Sequence, residues 1–88
     1  MSGLTREMII HPGFTLKEVL EERRISQLEL AHKSGVSEKH ISSVLNGQYP
    51  ISIHLAKQLE YSLGINSQFW INLQKVYDKE MCEFEKLH

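Results

Sequence analysis

Cysteine and proline are scarce in this 88-residue sequence, and long hydrophobic runs are missing. The single cysteine, Cys82, has no partner for an internal disulfide, so we expect a reducing compartment, the cytoplasm. No apolar stretch approaches the roughly 18 residues of a membrane span. The first ten residues carry one arginine and a three-residue apolar run, which does not match a secretory signal peptide. We therefore expect a cytoplasmic protein without a membrane partner.

Excess positive charge is also missing, because ten Lys and Arg residues face eleven Asp and Glu residues for a formal net charge of −1. This balance counts against a strongly basic protein that binds any nucleic acid. It does not exclude a sequence-specific reader, because amides, backbone N–H groups and helix N-termini also bind phosphates. The hydrophobic content of 41% predicts one domain with a small core, which oligomerisation would stabilise.

Residue groups that carry catalysis or hold a metal are not found. The five histidines and the cysteine include no closely spaced pair of metal ligands. No Gly-rich phosphate loop, nucleophile elbow or zinc-protease motif occurs. The acidic residues Glu18, Glu21 and Glu22 are better explained as a solvated helix face. We expect neither an enzyme nor a bound metal or other cofactor.

The hydrophobic spacing predicts an all-α protein of five helices, because no segment shows the sustained alternation of a strand. Capping side chains and glycines indicate where the helices begin and end. The expected bounds are Phe14–Arg24, Ser26–Gly35, Ser37–Asn46, Ser52–Gly64 and a fifth helix from Asn66 with an apolar pattern that continues to Phe84. We expect an N-terminal arm at residues 1–11, a domain at 12–78 and a helical C-terminal extension at 79–88.

Residues 27–46 meet the requirements of a helix-turn-helix. Ala31 is small where the helices would cross, Gly35 tolerates a positive φ in the turn, and Val36 can anchor the turn in the core. The inner face of the second helix is apolar, with Ile41, Val44 and Leu45. Its outer face is polar, with Glu38, Lys39, His40, Ser42, Ser43 and Asn46. A plain helical hairpin is the alternative. An ordinary surface helix usually carries Lys–Glu pairs, whereas this helix carries compact hydrogen-bonding side chains, which favour a DNA-reading face.

The sequence resembles the Xre/Cro-repressor helix-turn-helix family, which implies a five-helix, lambda-repressor-like fold. The matching segments of the motif are Ser26–Ala31, Gly35–Ser37, Ile41–Ser42 and Leu45–Gly47. The flanks, above all His11–Gly13 together with Phe69–Gln74, are similar to HigA-type antitoxins of toxin–antitoxin modules. This resemblance covers residues 10–78. The sequence departs from the family at Phe14, where Glu is frequent, and at Ser34, where an aliphatic residue is frequent.

The resemblance implies a set of DNA contacts by position. Gln27 would hold a phosphate at the start of the second helix, and Asn46 with the following loop would touch the far backbone. The major groove would be faced by Ser37, Glu38, Lys39 and Ser43.

Residue chemistry agrees with a reading role for the third helix. Lys39 can donate to guanine acceptors, and Ser42 or Ser43 can serve any base. Glu38 could accept from a cytosine amino group, or it could favour the positive end of its own helix. His40 is either a phosphate ligand or a solvated side chain.

The fifth helix offers a subunit interface. Phe69 and Trp70 are adjacent and point about 100° apart on a helix, so one can face the core and the other a partner. Helix-turn-helix proteins commonly read paired half-sites as dimers, and we expect a homodimer on a palindromic operator. The interface is expected to include Trp70, Tyr77 and Met81, with Leu73 in the core. An ordinary core helix is the alternative.

Three functions are compatible with the sequence. The resemblance implies an antitoxin that represses its own toxin–antitoxin operon and binds a HigB/RelE-like toxin, a ribosome-dependent messenger-RNA endonuclease. A free-standing phage- or plasmid-type repressor is the second. A protein–protein module that has lost DNA binding is the third, because two acidic residues balance two lysines between Ser26 and Ile51.

Overall fold

The computed structural model describes residues 8–87, which form five α-helices joined by short loops and contain no strand. The helices are α1 (Pro12–Arg23), α2 (Gln27–Ser34), α3 (Glu38–Leu45), α4 (Ile53–Leu63) and α5 (Ser67–Leu87). The predicted all-α, five-helix fold is confirmed for this range. No helix in it is both long and apolar enough to cross a membrane. Residues 1–7 of the predicted arm and His88 of the predicted extension lie outside the described residues.

Side-chain caps start three of the helices where the sequence predicts them. The Ser26 hydroxyl accepts from the Glu29 N–H at 3.1 Å, and the Glu29 carboxylate accepts from the Ser26 N–H at 3.2 Å. These reciprocal bonds complete a capping box at the start of α2. Ser37 and Ser52 accept from the backbone N–H three residues on, at 3.2 and 3.0 Å. Each cap satisfies a donor that the helix leaves free.

Helix α1 begins at Pro12, two residues before the expected start at Phe14. The start was misplaced because His11 is the cap: its Nδ1 accepts from the Gly13 N–H at 2.8 Å. Proline is well suited to the first helical position, where its missing N–H would have no partner anyway. The buried His11 ring also packs edge-on against the Tyr77 ring of α5, with centroids 4.8 Å apart. The cap therefore ties the start of α1 to α5.

Trp70 lies in the centre of the core and is fully buried. The prediction that Trp70 contributes to a subunit interface is wrong, because an indole with 0% exposure cannot reach a partner. Its neighbour Phe69 is 44% exposed. The two aromatic side chains therefore point in different directions, but Trp70 faces the core and Phe69 faces outward. Leu73 packs against the core as expected. The core also includes Leu16, Leu20, Leu30, Leu55 and Leu59.

The fifth helix continues without a break through Asp78, where the sequence suggested the end of the domain. Its 21 residues reach Leu87, so residues 79–87 prolong the helix that packs on the core. Tyr77 and Met81 are half-buried on it. Their predicted place at a subunit interface remains a prediction.

The first turn of α1 packs tightly against the end of α3. Gly13 is buried, and a Cβ at this position would lie 2.9 Å from the Val44 carbonyl carbon, with the carbonyl oxygen closer still. The backbones approach this closely because Gly13 has no side chain. The contact fixes the C-terminal end of α3 against α1.

We predict that Gly13→Ala destabilises the fold by about 3 kcal/mol, the upper range for overpacking a tight contact. Gly35→Ala is the comparison, because Gly35 has a φ of +73° but no atom within 4 Å of its Cβ position. It should cost only the left-handed backbone strain of about 1 kcal/mol. Chemical denaturation measures both. A Gly13→Ala variant as stable as wild type would show that α1 and α3 do not approach this closely.

A pH dependence is expected from His11. Burial lowers the pKa of His11 from its ordinary 6.5, and a backbone hydrogen bond with Tyr49 and the Asp78 carboxylate oppose this only in part. A group with a lowered folded-state pKa contributes stability that is present above its unfolded pKa and lost as the pH falls through its folded pKa. Protonation also removes the Nδ1 acceptor of the Gly13 N–H.

We therefore expect the Tm of the wild type to fall more than that of His11→Asn between about pH 7.5 and about pH 5. Asn caps helices well and does not titrate, and the other histidines are common to both proteins. Equal losses in the two proteins would show that His11 is not the group responsible.

Candidate nucleic-acid interface

The turn between α2 and α3 is held by backbone geometry and by one buried hydroxyl. Gly35 ends α2 with a φ of +73°, and its N–H donates to the Ala31 carbonyl at 2.9 Å. The buried Ser34 hydroxyl accepts from the Val36 N–H at 3.2 Å. Ser34 departs from the aliphatic residue frequent in the family, and its hydrogen bond gives the departure a role within the turn. Ser37 then caps α3, so the angle between the two helices is closely defined.

The inner face of α3 is anchored in the core. Ile41, Val44 and Leu45 have exposures of 1%, 0% and 6%, as their helical spacing predicted. With three of its eight residues buried on this face, α3 presents the remaining side chains outward. The polar outer face therefore exists as a surface and has a fixed orientation.

The structure leaves every predicted DNA-contacting residue accessible. Gln27 is the first residue of α2, and Asn46 is the C-cap of α3. The exposed members of the set are Gln27, Ser37, Glu38, Lys39 and Asn46, and the half-buried members are His40, Ser42 and Ser43. Except for Gln27 they belong to α3 and its two caps, so they form one continuous surface.

Hydrogen bonds within α3 limit what its serines can do. The Ser43 hydroxyl donates to the Lys39 carbonyl at 3.1 Å, so in this rotamer it can only accept from a ligand. An adenine or cytosine amino group is the matching donor in the major groove. The Ser37 hydroxyl accepts from the His40 N–H at 3.2 Å, and its own proton is available to a phosphate oxygen. The two serines thus differ in the groups that they can bind.

Tyr49 extends this surface beyond α3, and the sequence analysis did not identify it. Its ring, 53% exposed, stacks on the His40 ring with centroids 5.8 Å apart and an interplanar angle of 29°. The stack gives His40 an aromatic neighbour, and its role as a phosphate ligand or as a solvated side chain stays a prediction. In the sequence, Tyr49 is an isolated aromatic residue in a loop, two positions after Gly47. Helical periodicity, which identified the outer face of α3, does not extend to it.

The histidines among residues 8–87 do not cluster with other metal ligands. His11 caps α1, His32 lies on α2 and His54 on α4. Across residues 8–87, no three His, Cys, Asp or Glu side chains are arranged to hold a metal ion.

Comparison with known proteins gives one family match and several close relatives. The family model described as Helix-turn-helix matches residues 16–70. Virulence-associated protein I of Dichelobacter nodosus is 35% identical over 86 residues, which cover 97% of this chain and 80% of that protein. An Escherichia coli (strain K12) protein, the uncharacterized HTH-type transcriptional regulator YddM, is 29% identical over 75 residues, 85% of this chain and 78% of that protein.

Solved structures of HigA proteins share the fold. Pseudomonas aeruginosa antitoxin HigA, solved with the higBA promoter, superposes with a TM-score of 0.80 at 35% identity, covering 84% of this chain and 82% of that one. A HigA-family addiction module antidote protein from Coxiella burnetii gives a TM-score of 0.76 at 32% identity, covering 83% and 80%. The resemblance seen in the sequence is thereby confirmed. The chain belongs to the Xre-type helix-turn-helix family of DNA-binding regulators and has the fold of the HigA antitoxins.

Proposed function

We propose that this chain is a cytoplasmic DNA-binding antitoxin that represses its own toxin–antitoxin operon and neutralises a HigB/RelE-like toxin by binding it. The observation that carries the DNA-binding part is the accessible polar face of α3, held at a fixed angle by the α2–α3 turn. Support for the antitoxin part comes from the HigA relatives, one of which was solved with the higBA promoter. PA4674 of Pseudomonas aeruginosa, a similar structure, was solved in complex with its operator DNA.

In this proposal α3 enters the major groove with its N-terminal half toward the base edges, as recognition helices do. Lys39 donates to guanine acceptors, and Ser43 accepts from an amino group. Gln27 and Asn46 bind phosphates on either side, which fixes the position of the helix without reading sequence. The net charge of −1 is compatible with this mode, because few of these contacts need a cation.

A free-standing repressor without a toxin is the second candidate. The observation that favours it is the Escherichia coli relative, whose name describes a transcriptional regulator and no antitoxin. The two candidates share the same DNA surface and differ only in whether a toxin is bound.

We also propose that the chain binds a palindromic operator as a two-fold homodimer. Two half-sites about 34–36 Å apart would place one α3 in each of two successive major grooves. Helix α5 is the proposed interface, because Phe69 and Val76 are exposed by 44% and 55% and lie seven residues apart on one face. Tyr77 and Met81 remain candidates at its edge.

For DNA reading, Lys39→Ala and Ser43→Ala should each cost about 1–3 kcal/mol of discrimination at one base pair. Gln27→Ala should weaken binding to all duplexes about equally, because phosphates carry no sequence information. Lys57→Ala, at an exposed position on α4, is the control for loss of one positive charge. Gel shifts with the DNA upstream of the gene measure these affinities. Unchanged affinity in both α3 variants would show that α3 is not the reader.

Light scattering after size exclusion tests the assembly and the toxin partner. The chain alone should elute as a dimer of 10.2 kDa subunits, and Phe69→Ser should shift it toward monomer. After coexpression, the product of the neighbouring gene should elute in complex with it. A dimer that binds upstream DNA but no neighbouring product would favour the free-standing repressor. A monomer that binds DNA tightly would exclude the proposed dimer.

A further inference from the structure

The loop between α3 and α4, residues 46–52, is held in two different ways along its length. Its first half is bonded to α3 itself: the Gly47 N–H donates to the Val44 carbonyl at 3.0 Å, and the Gln48 N–H donates to the Ser43 carbonyl at 2.9 Å. These local bonds simply continue the helix turn. They leave the position of the second half undetermined.

The second half of the loop is bonded to a side chain that is distant in sequence. The Ile51 N–H donates to Gln74 Oε1 on α5 at 2.8 Å, across 23 positions of sequence. The Gln74 side chain is 9% exposed and Ile51 is 2% exposed, so water has little access to replace the Gln74–Ile51 bond.

Gln74 is itself oriented by a neighbour on α5. Its Nε2 donates to Asp78 Oδ1 at 2.9 Å, one helical turn further on. With the amide nitrogen engaged there, the amide oxygen is directed to the Ile51 N–H. The position needs a side chain that both donates and accepts, and an apolar residue of the same size would leave a buried N–H without a partner.

The held segment carries the aromatic part of the candidate DNA surface. Tyr49 precedes Pro50, which restricts its backbone to extended conformations, and its ring stacks on His40 of α3. A shift of the loop would therefore move Tyr49 relative to the outer face of α3. Gln74, on α5 and outside the helix-turn-helix, is bonded to this loop at Ile51, two residues after Tyr49.

We propose that Gln74 is a positioning residue for DNA binding: the chain of bonds from Asp78 through Gln74 to Ile51 sets the α3–α4 loop and its His40–Tyr49 surface beside the recognition helix. This inference rests on the DNA-binding part of the proposed function. It makes affinity for DNA depend on α5, although α5 itself need not touch DNA.

The test compares Gln74→Leu with a matched control on the same helix. Gln68 makes the same kind of bond, from its Nε2 to Asn72 Oδ1 at 2.8 Å, but it is exposed and this bond lies within α5. At a temperature where circular dichroism shows every variant folded, Gln74→Leu should bind the upstream duplex about tenfold more weakly, the loss expected for one buried hydrogen bond. Gln68→Leu should bind as the wild type does.

A second readout separates positioning from general destabilisation. Hydrogen exchange of the Ile51 amide should accelerate in Gln74→Leu, while the Leu30 amide in the core of α2 should keep its protection. Asp78→Asn keeps the acceptor for Gln74 Nε2 and should retain both affinity and protection. Asp78→Ala, at an exposed position, removes the support of Gln74 together with a negative charge near His11. Asp78→Asn is the control for the lost charge, and only Asp78→Ala should lose part of the affinity and of the Ile51 protection.

The outcomes distinguish this inference from the function on which it rests. A wild-type protein that does not bind the upstream duplex contradicts the proposed DNA binding. A wild type that binds, together with folded Gln74→Leu and Asp78→Ala variants of undiminished affinity, overturns the positioning role of Gln74. Weaker binding by Gln68→Leu to the same extent would overturn it as well, because the hydrogen bond of Gln68 lies within α5.

Discussion

The polar face of α3 has a fixed position because the opposite face of the helix is buried in the core. An isolated helix of eight residues is not stable in water, so α3 exists only because Ile41, Val44 and Leu45 are packed in the core. Its orientation then depends on the elements that build that core. The turn at Gly35 sets its start, and the close approach of α1 at Gly13 sets its end. The bond from Gln74 to Ile51 fixes the loop that follows.

Features that depend on local sequence could be predicted. The capping box at Ser26 and the glycine at Gly35 act within four residues, and the apolar spacing of α3 repeats every three to four residues. The caps of α2, α3 and α4, the turn and the polar outer face therefore agreed with the structure. The family resemblance added the arrangement of the five helices, which spacing alone does not define.

Features that depend on contacts distant in sequence could not be predicted. His11 contacts Tyr77, and Gln74 contacts Ile51, only after the chain has folded. For Trp70, helical geometry separated it from Phe69 but could not tell which of the two faces inward, because both side chains are large and apolar. The fully buried indole is explained by the central position of α5 against α1 and α4.

We propose that the outer face of α3, together with the loop after it, is the DNA-binding surface. Amide chemical shifts of the labelled protein can be recorded during titration with the duplex from upstream of its gene. The largest changes should occur at the start of α2, along α3 and in residues 46–52, with small changes on the exposed faces of α1 and α4. Changes concentrated on α1 or α4, with α3 unaffected, would contradict it.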